Sequence, residues 1–502
     1  MIRYGELALK SEYVRRQWEG SLIESIRRRI KGCNIWRERG RIWVDTEENT
    51  SSELKNIPGI HSFSLCERCE LDELGESLLK FTGRSLMGER TFALRINRVG
   101  EHDFTSQDAA RYLGAEIIKR FPDLSVDLSK PEKEIFIEIR EKECYIFDEI
   151  TKGMGGIPEG VEGKLICLLS GKTRKITSAI ACWMMMRRGC EIIPFCYDED
   201  SEMAIGAVEI LKEFQPDIRL RVLDRDDRKG RVEDAIREYR ALGIVCGSNL
   251  RIFSSEISVP IYQPLIGFDR LEIEKIAERM EISKIGEKIE LFNTRIKLVS
   301  LISGGIDSPV ATYLMMNRGA DVIALHLDNR PFTDKRELEK SLKIVRYLEN
   351  SCDRDIKTYI VLNGENLAAF KNNCRRKLQC LFCRRTMLRI AEKIAWKEGA
   401  DGILTGESLG QVATQTLQNI YVTDRAIEMP VIRPLIGMDK IEIIDIARKI
   451  GTYDLSILPS SGCKIVPKKP ATAAKLEEVL REEERIDLDS LIEGSVRNAY
   501  IL

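Results

Sequence analysis

Residues 297–316 read KLVSLISGGIDSPVATYLMM, and the order of residue types in that stretch decides the architecture. Residues 297–302 form an apolar run of strand length, Ser303-Gly304-Gly305 a turn, and residues 307–316 a helical pattern. Strand, glycine turn and helix in immediate succession build a mostly parallel α/β sheet, with the turn at the carboxyl end of the strand. Glycines there let backbone N–H groups close on phosphate oxygens, and the helix N-terminus adds favourable partial positive charge. Ser303 and Ser308 can donate to the same oxygens, and Asp307 can help hold a magnesium ion. The stretch matches neither the Walker A pattern nor the dinucleotide GxGxxG pattern.

Working outward, the same grammar extends back to the glycine-rich stretch GMGGIPEGVEG at 153–163, which reads as a domain boundary. Within this region the sequence repeats itself. KLICLLSGKTRK from Lys164 resembles KLVSLISGGIDS from Lys297, and PLIGFDRLEIEKIAERM from Pro264 resembles PLIGMDKIEIIDIARKI from Pro434. Two similar segments in the same order predict a duplicated α/β domain. The copies differ where chemistry would sit. Against Ser303-Gly304-Gly305-Ile306-Asp307-Ser308 the first copy has Ser170-Gly171-Lys172-Thr173-Arg174-Lys175, with an arginine at the place of the acid, so it is expected to be catalytically inactive.

Upstream lie two α+β units. Val14, Trp18, Leu22, Ile26 and Ile30 recur at four-residue steps and predict an amphipathic helix, followed by strands CNIW and RIWV around Arg39-Gly40. A second unit carries the strands TFALRINR, EIFIEIR and CYIFDE, with a helix starting near Ser106 and capped there or at Thr105. The expected domains are 1–55, 56–152, 153–290, 291–480 and a tail at 481–502.

Composition is that of an ordinary folded protein, 43% hydrophobic and 32% charged, which excludes a disordered chain, a collagen-like fibre or a disulfide miniprotein. Lys+Arg 79 against Asp+Glu 80 leaves a net charge of -1, so a nucleic-acid surface must be local. Residues 1–44 hold eleven basic and five acidic side chains, and 371–397 nine basic residues against Glu392. Such patches track a phosphate backbone or line a solvated helix face. No secretory leader and no membrane span is expected, which places the protein in the cytoplasm with its fourteen cysteines reduced. Cys167, Cys182 and Cys190 read as core packing, and Cys66-Glu-Arg-Cys69 as incidental, with no partner cysteines in its half of the chain.

SGGxDS is the pyrophosphate-loop (PP-loop) signature of ATP pyrophosphatases, which adenylate a substrate and release pyrophosphate. Together with RYGELALK, RVGEHDFTS, TGESLGQVATQT and RPLIGMDK, it makes the sequence resemble the tRNA 4-thiouridine synthetase (tRNA sulfurtransferase, ThiI-type) family. The resemblance implies an α/β multidomain fold: ferredoxin-like and THUMP RNA-binding domains, then two tandem Rossmann-like PP-loop domains. It implies that uridine 8 of tRNA is adenylated through O4 and that sulfur then displaces AMP at C4. ATP and Mg2+ would be needed, with ATP contacted by Leu301, Ile302, Ser303, Gly304, Gly305, Ser308, His326, Leu327, Arg384, Gly406 and Gln415. Asp307, Lys440 and Cys463 would be the catalytic residues. Read without the resemblance, Leu301, Ile302 and Leu327 are core, His326 is structural and Lys440 is solvated.

Cys463 falls where bacterial relatives keep the cysteine that receives persulfide sulfur from a C-terminal rhodanese domain, which this sequence is expected to lack. Cys380, Cys383 and Cys463 instead match thiolases in which three thiolates hold a 4Fe-4S or 3Fe-4S cluster, one iron staying open for sulfide. Zinc and an unmetallated thiol set are the alternatives. Sulfide or another donor would then be the sulfur source. Arg95 and Arg98 in the THUMP-like segment, and Lys371, Arg375, Arg376 and Lys377 beside the expected active site, are the RNA-binding candidates. A homodimer, or an internal pseudo-dimer formed with the inactive copy, is expected. Sulfur transfer to a carrier protein for thiamine thiazole, or non-catalytic tRNA binding, are the alternative functions.

Overall fold

The computed structural model describes residues 1–38, 40–47, 49–169, 175–197, 201–223, 228–247, 257–282 and 296–502. The chain divides into two compact units, Met1–Gly155 and Gly156–Leu502.

The first unit contains two sheets. One is antiparallel, in the order Thr151–Lys152, Ser62–Phe63, Ile2–Arg3, Arg41–Asp45, Asn34–Glu38. The helix Glu12–Arg29 buries Leu22 and Ile26 in the core with Ile2, Ile42 and Phe63, as its four-residue period predicts. The sheet runs past the expected boundary at residue 55, because strands 62–63 and 151–152 both close on it. Two-residue strands carry no period that a sequence can display. The other sheet follows the order Glu67–Glu70, Glu143–Phe147, Lys133–Arg140, Thr91–Val99, Ser125–Val126. Its helix Ser106–Arg120 is capped by Thr105, with Asp108 reciprocating in a capping box. Cys69 stands directly opposite Cys144 in this sheet. Cys69, though not Cys66, therefore faces another cysteine, brought in by strand register rather than by sequence proximity.

The second unit holds two further sheets. The first half gives the parallel order Arg221–Leu223, Cys190–Tyr197, Gly163–Leu169, Ile244–Val245, Ile261–Tyr262. The second half gives Val431–Ile432, Gly402–Leu404, Lys297–Leu301, Asp321–Asp328, Thr358–Leu362, all parallel, with Tyr500–Ile501 added antiparallel at the edge. In each half the first strand is central, the second and third lie to one side, and the fourth and fifth to the other. The 170–174 loop of the first half lies outside the described residues, as do Arg39 and the expected boundary at 290.

The expected tail after 480 is instead part of the fold. Helix Leu488–Arg497 buries Ile492 in the main core of the second sheet, and Tyr500–Ile501 pairs with Thr358–Leu362. Among the described residues no helix is long and apolar enough to cross a membrane.

Candidate active site

The strand Lys297–Leu301 ends at a loop wound on its own serines. Ser303 N–H donates to Ser308 Oγ at 2.9 Å, the two hydroxyls lie 3.1 Å apart, and Gly305 N–H donates to Ser303 Oγ at 3.3 Å. Asp307 opens the helix Asp307–Asn317. Gly406 packs so closely on this turn that a Cβ there would stand 2.5 Å from Ser308 N, so only glycine brings the 405–410 segment against the loop.

A cavity of about 230 Å³ opens over the carboxyl ends of the strands. Of the expected nucleotide residues, Leu301, Ile302, Ser303, Gly305, Ser308, His326, Leu327, Arg384, Gly406 and Gln415 line it, together with Asp307. Gly304 lies behind the loop instead, against Lys340. Asn329, Thr333, Glu337, Met387 and Thr405 also line the cavity, and sequence reading did not find them. His326 is buried, which holds its pKa below the ordinary value and keeps the ring neutral. Its Nδ1–H donates to the Ile302 carbonyl at 3.2 Å. Gln415 presents a buried Oε1 with no hydrogen-bond partner, an acceptor aimed at nothing the protein supplies.

Lys440 comes from far along the chain. It is the first residue of the helix Lys440–Lys449, and its Nζ donates to Asp307 Oδ1 at 2.5 Å. Asp439 and Glu442 cap that helix reciprocally, and Arg187 of the first half reaches both, Nη2 to Asp439 at 3.1 Å and Nη1 to Glu442 at 2.9 Å. Burial alone would raise the Glu442 pKa, but Arg187 and Arg279 bring it down to about 2.

Arg384 is fixed by a group that sequence reading passed over. Its Nε donates to Glu407 at 2.7 Å, while Arg433 Nε donates to the same carboxylate at 2.6 Å and Thr405 Oγ1 at 3.0 Å. Burial disfavours the Glu407 charge, yet the two guanidinium groups outweigh it and hold the pKa at about 2. The signal was present in TGES, an acid beside the turn glycine Gly406, but its partners lie 23 and 26 residues away.

Cys380 and Cys383 sit one turn apart at the start of the helix Gln379–Glu398, and Cys463 comes from a loop after the last strand of the parallel set. All three line one cavity of about 160 Å³. Asn329, Arg384 and Met387 line both this cavity and the nucleotide-sized one, so the two adjoin. Burial, then the neighbouring thiols Cys463 and Cys380, push Cys383 up to about 12, and burial with Cys463 raises Cys380. Among the described residues no three histidine, cysteine or acidic side chains are already gathered as a metal site.

The basic candidates are only partly available. Arg375 and Lys377 pair with Glu478 at 2.7 and 3.0 Å, Lys371 lies over Phe332, and Arg376 is exposed. In the first unit Arg95 donates to Glu134 at 2.7 Å and Arg98 to the His102 carbonyl at 3.5 Å. Arg95 also lines a cavity of about 860 Å³ with Arg3, Arg41 and Arg111, which sequence reading did not single out.

A family model described as thiamine biosynthesis protein (ThiI) matches residues 160–247 and 293–488. The chain belongs to the ThiI family. Models for the ThiI ferredoxin-like domain and the THUMP domain match 1–64 and 69–149. The chain is 31% identical over 498 residues to a probable tRNA sulfurtransferase of Methanothermobacter thermautotrophicus, covering 97% of this chain and 93% of that protein. Among solved structures it is similar to a 4-thiouridine synthetase–RNA complex with bound ATP, at 25% identity and TM-score 0.40, covering 100% of this chain and 98% of that one. It is also similar to PH1313 from Pyrococcus horikoshii Ot3, at 28% identity and TM-score 0.50, covering 56% of this ThiI-family chain and 98% of that one.

Proposed function

We propose that this protein is an ATP-dependent tRNA sulfurtransferase that makes 4-thiouridine, and that the second α/β half performs the chemistry. The curated relatives are named tRNA sulfurtransferases, and neither the carrier-protein reading nor the non-catalytic one is favoured. The observation that carries the reading is the shared wall of Asn329, Arg384 and Met387, which sets a phosphate-binding loop beside a three-cysteine cavity. Uridine thiolation needs both: a site that activates oxygen as a leaving group, and a site that delivers sulfur to the same carbon.

In the first step uridine O4 attacks the α-phosphate of ATP, the bond to pyrophosphate breaks, and N3 loses its proton. In this reading the loop N–H groups, the Ser303 and Ser308 hydroxyls and Lys440 stabilise charge on the departing pyrophosphate. Gln415 Oε1, otherwise unpaired, accepts from the nucleotide, and neutral His326 packs beside it without adding charge. In the second step hydrosulfide adds at C4 and AMP leaves with the former O4. Asp307 is the residue that would hold Mg2+, whose charge assists pyrophosphate release.

The thiol set fits an iron–sulfur cluster. Burial disfavours bare thiolates at Cys380 and Cys383, and a cationic centre would compensate them. Cys380, Cys383 and Cys463 would hold the cluster, which when bound supplies an iron position open to sulfide. We assign the 860 Å³ cavity of the first unit, with Arg3, Arg41, Arg95 and Arg111, to tRNA backbone contact, and Arg376 to contact near the reacting uridine. The two α/β halves are read as a duplication forming an internal pseudo-dimer, and the compartment as the cytoplasm.

The test is release of AMP and pyrophosphate from ATP, with unmodified tRNA and sulfide present. Dependence of both products on tRNA is expected. ATP turnover indifferent to tRNA would overturn the substrate assignment.

A further inference from the structure

Lys340 is a buried cation that the mechanism above does not use. It lies in the helix Lys335–Cys352 and is 8% exposed. Its Nζ donates to the Ser456 carbonyl at 3.3 Å, the Leu458 carbonyl at 3.2 Å and Ser460 Oγ at 3.0 Å. All three acceptors are neutral. Among the described residues no carboxylate stands within ion-pairing distance of this ammonium group, although a buried charge ordinarily requires a counter-charge.

What lies against its stem is the PP-loop. A Cβ on Gly304 would stand 2.3 Å from Lys340 Cε, so the lysine crosses directly behind the loop whose front faces the nucleotide cavity. The nearby acid, Glu337, lines that cavity too, and its Oε2 would stand 3.3 Å from the same Cβ without forming an ion pair with Lys340. The segment that Lys340 grips is also tied to the loop directly, by Ser456 Oγ donating to the Gly305 carbonyl at 3.2 Å. Ser461 N–H adds a bond at 3.3 Å to Asp334, the residue capping the lysine's own helix. Two residues further on is Cys463, on the wall of the thiol cavity.

The first half gives a comparison. Its corresponding helix, Ser201–Lys212, buries Ala204, Ala207, Val208 and Leu211 in the same phase as Ser341, Ile344, Val345 and Leu348. In that alignment the position of Lys340 is Met203, which is exposed. The half without the SGGxDS loop is also without the lysine.

We infer that Lys340 is a positioning residue coupling occupancy of the PP-loop to the segment that carries Cys463. This rests on the nucleotide reading above. A polyphosphate on the loop supplies, across Gly304, the negative charge that Lys340 lacks. Nucleotide thereby strengthens the hold that Lys340 already has on Ser456, Leu458 and Ser460, and with it the order of the sulfur side of the site.

Hydrogen–deuterium exchange over residues 456–466 in the full-length, metal-free protein tests this, with and without ATP and Mg2+, in wild type, Lys340→Met and Lys340→Arg. Wild type should show exchange slowed by nucleotide. Lys340→Met should bind ATP about tenfold more weakly, the scale of one charge-assisted contact. At saturating ATP it should show no nucleotide-dependent protection, while its melting temperature stays near that of wild type. Lys340→Arg should restore the protection. A Lys340→Met protein with wild-type ATP affinity and protection would overturn the proposal. If wild type binds ATP and the segment does not respond, the coupling alone fails. If wild type binds no ATP, the nucleotide reading itself falls.

Discussion

Arg187 of the first α/β half reaches the cap residues Asp439 and Glu442 of the second, and Arg318 of the second reaches the cap residues Asp269 and Glu272 of the first. The packing is reciprocal as well. A Cβ at Gly267 would meet Pro434 and Leu314, and one at Gly437 would meet Pro264 and Met184; Pro264 and Pro434 correspond in the repeated sequence. On the proposed reading of the two halves as an internal pseudo-dimer, these are its two arms, although Arg187 and Arg318 are not counterparts in the repeat. Its two arms differ in strength. The arginine contacts to the Lys440 helix are 2.9 and 3.1 Å, whereas those to the first-half helix are 3.7 and 4.0 Å. The tighter arm braces the helix that brings Lys440 to Asp307. On the proposed reading, a half without the SGGxDS sequence serves the chemistry of its neighbour by holding a helix rather than by reacting.

The comparison breaks most sharply at the loop. Asp307→Ala should lower tRNA-dependent AMP formation by about 10³-fold, as expected for removing a charge that organises the transition state. Binding of tRNA, read by filter retention, should be nearly unchanged; equal loss of both would contradict the division of roles.

Next comes Glu407, which joins Arg384 to buried Arg433. Glu407→Ala should cost about 3–5 kcal/mol in denaturant unfolding, because it strips a buried guanidinium of a partner. The folded pKa near 2 lies below the unfolded value of 4.5, so the stabilisation of about 3 kcal/mol is complete above pH 4.5. It is lost as the pH falls toward 2, and an acid unfolding curve should show that window shrink in the variant.

Arg187→Ala tests whether the inactive half matters. Turnover should drop about tenfold through displacement of Lys440, with the tRNA KM little changed. Arg187→Lys should recover part of the rate, and unaltered turnover in the alanine variant would reduce the first half to a spacer. Smallest of all, Lys172→Ala, in the sequence that replaces SGGIDS in the first half, should change turnover by less than about twofold if that half does no chemistry. A larger loss would mean that this stretch binds a ligand of its own.

Much of the fold was legible because it is written in local patterns. The run 297–316 declares strand, turn and helix, the repeated segments align with the matching order of the two parallel sheets, and Thr105 carries its cap in sequence. Ser303, Gly305, Asp307, Ser308, Arg384, Gly406 and Gln415 were legible as a motif set, and the structure brings them to one cavity, whereas Gly304 lies behind the loop. What escaped was fixed by long-range register. Glu407 needed Arg433, 26 residues away, Cys69 needed Cys144 on a neighbouring strand, and strands of two residues at 62, 151 and 500 have no alternation to read. Lys340 escaped for a different reason. A lysine in a helix with charged neighbours reads as solvated until the loop at 456–460 folds over it.

Nucleoside mass spectrometry on unmodified tRNA incubated anaerobically with protein, ATP, Mg2+ and sulfide tests the central claim most directly. Wild type and Asp307→Ala would run in parallel, each with and without reconstitution by iron and sulfide. The account predicts 4-thiouridine with wild type after reconstitution and none with Asp307→Ala. No thiolated base in any wild-type sample, or equal amounts from wild type and Asp307→Ala, would contradict it.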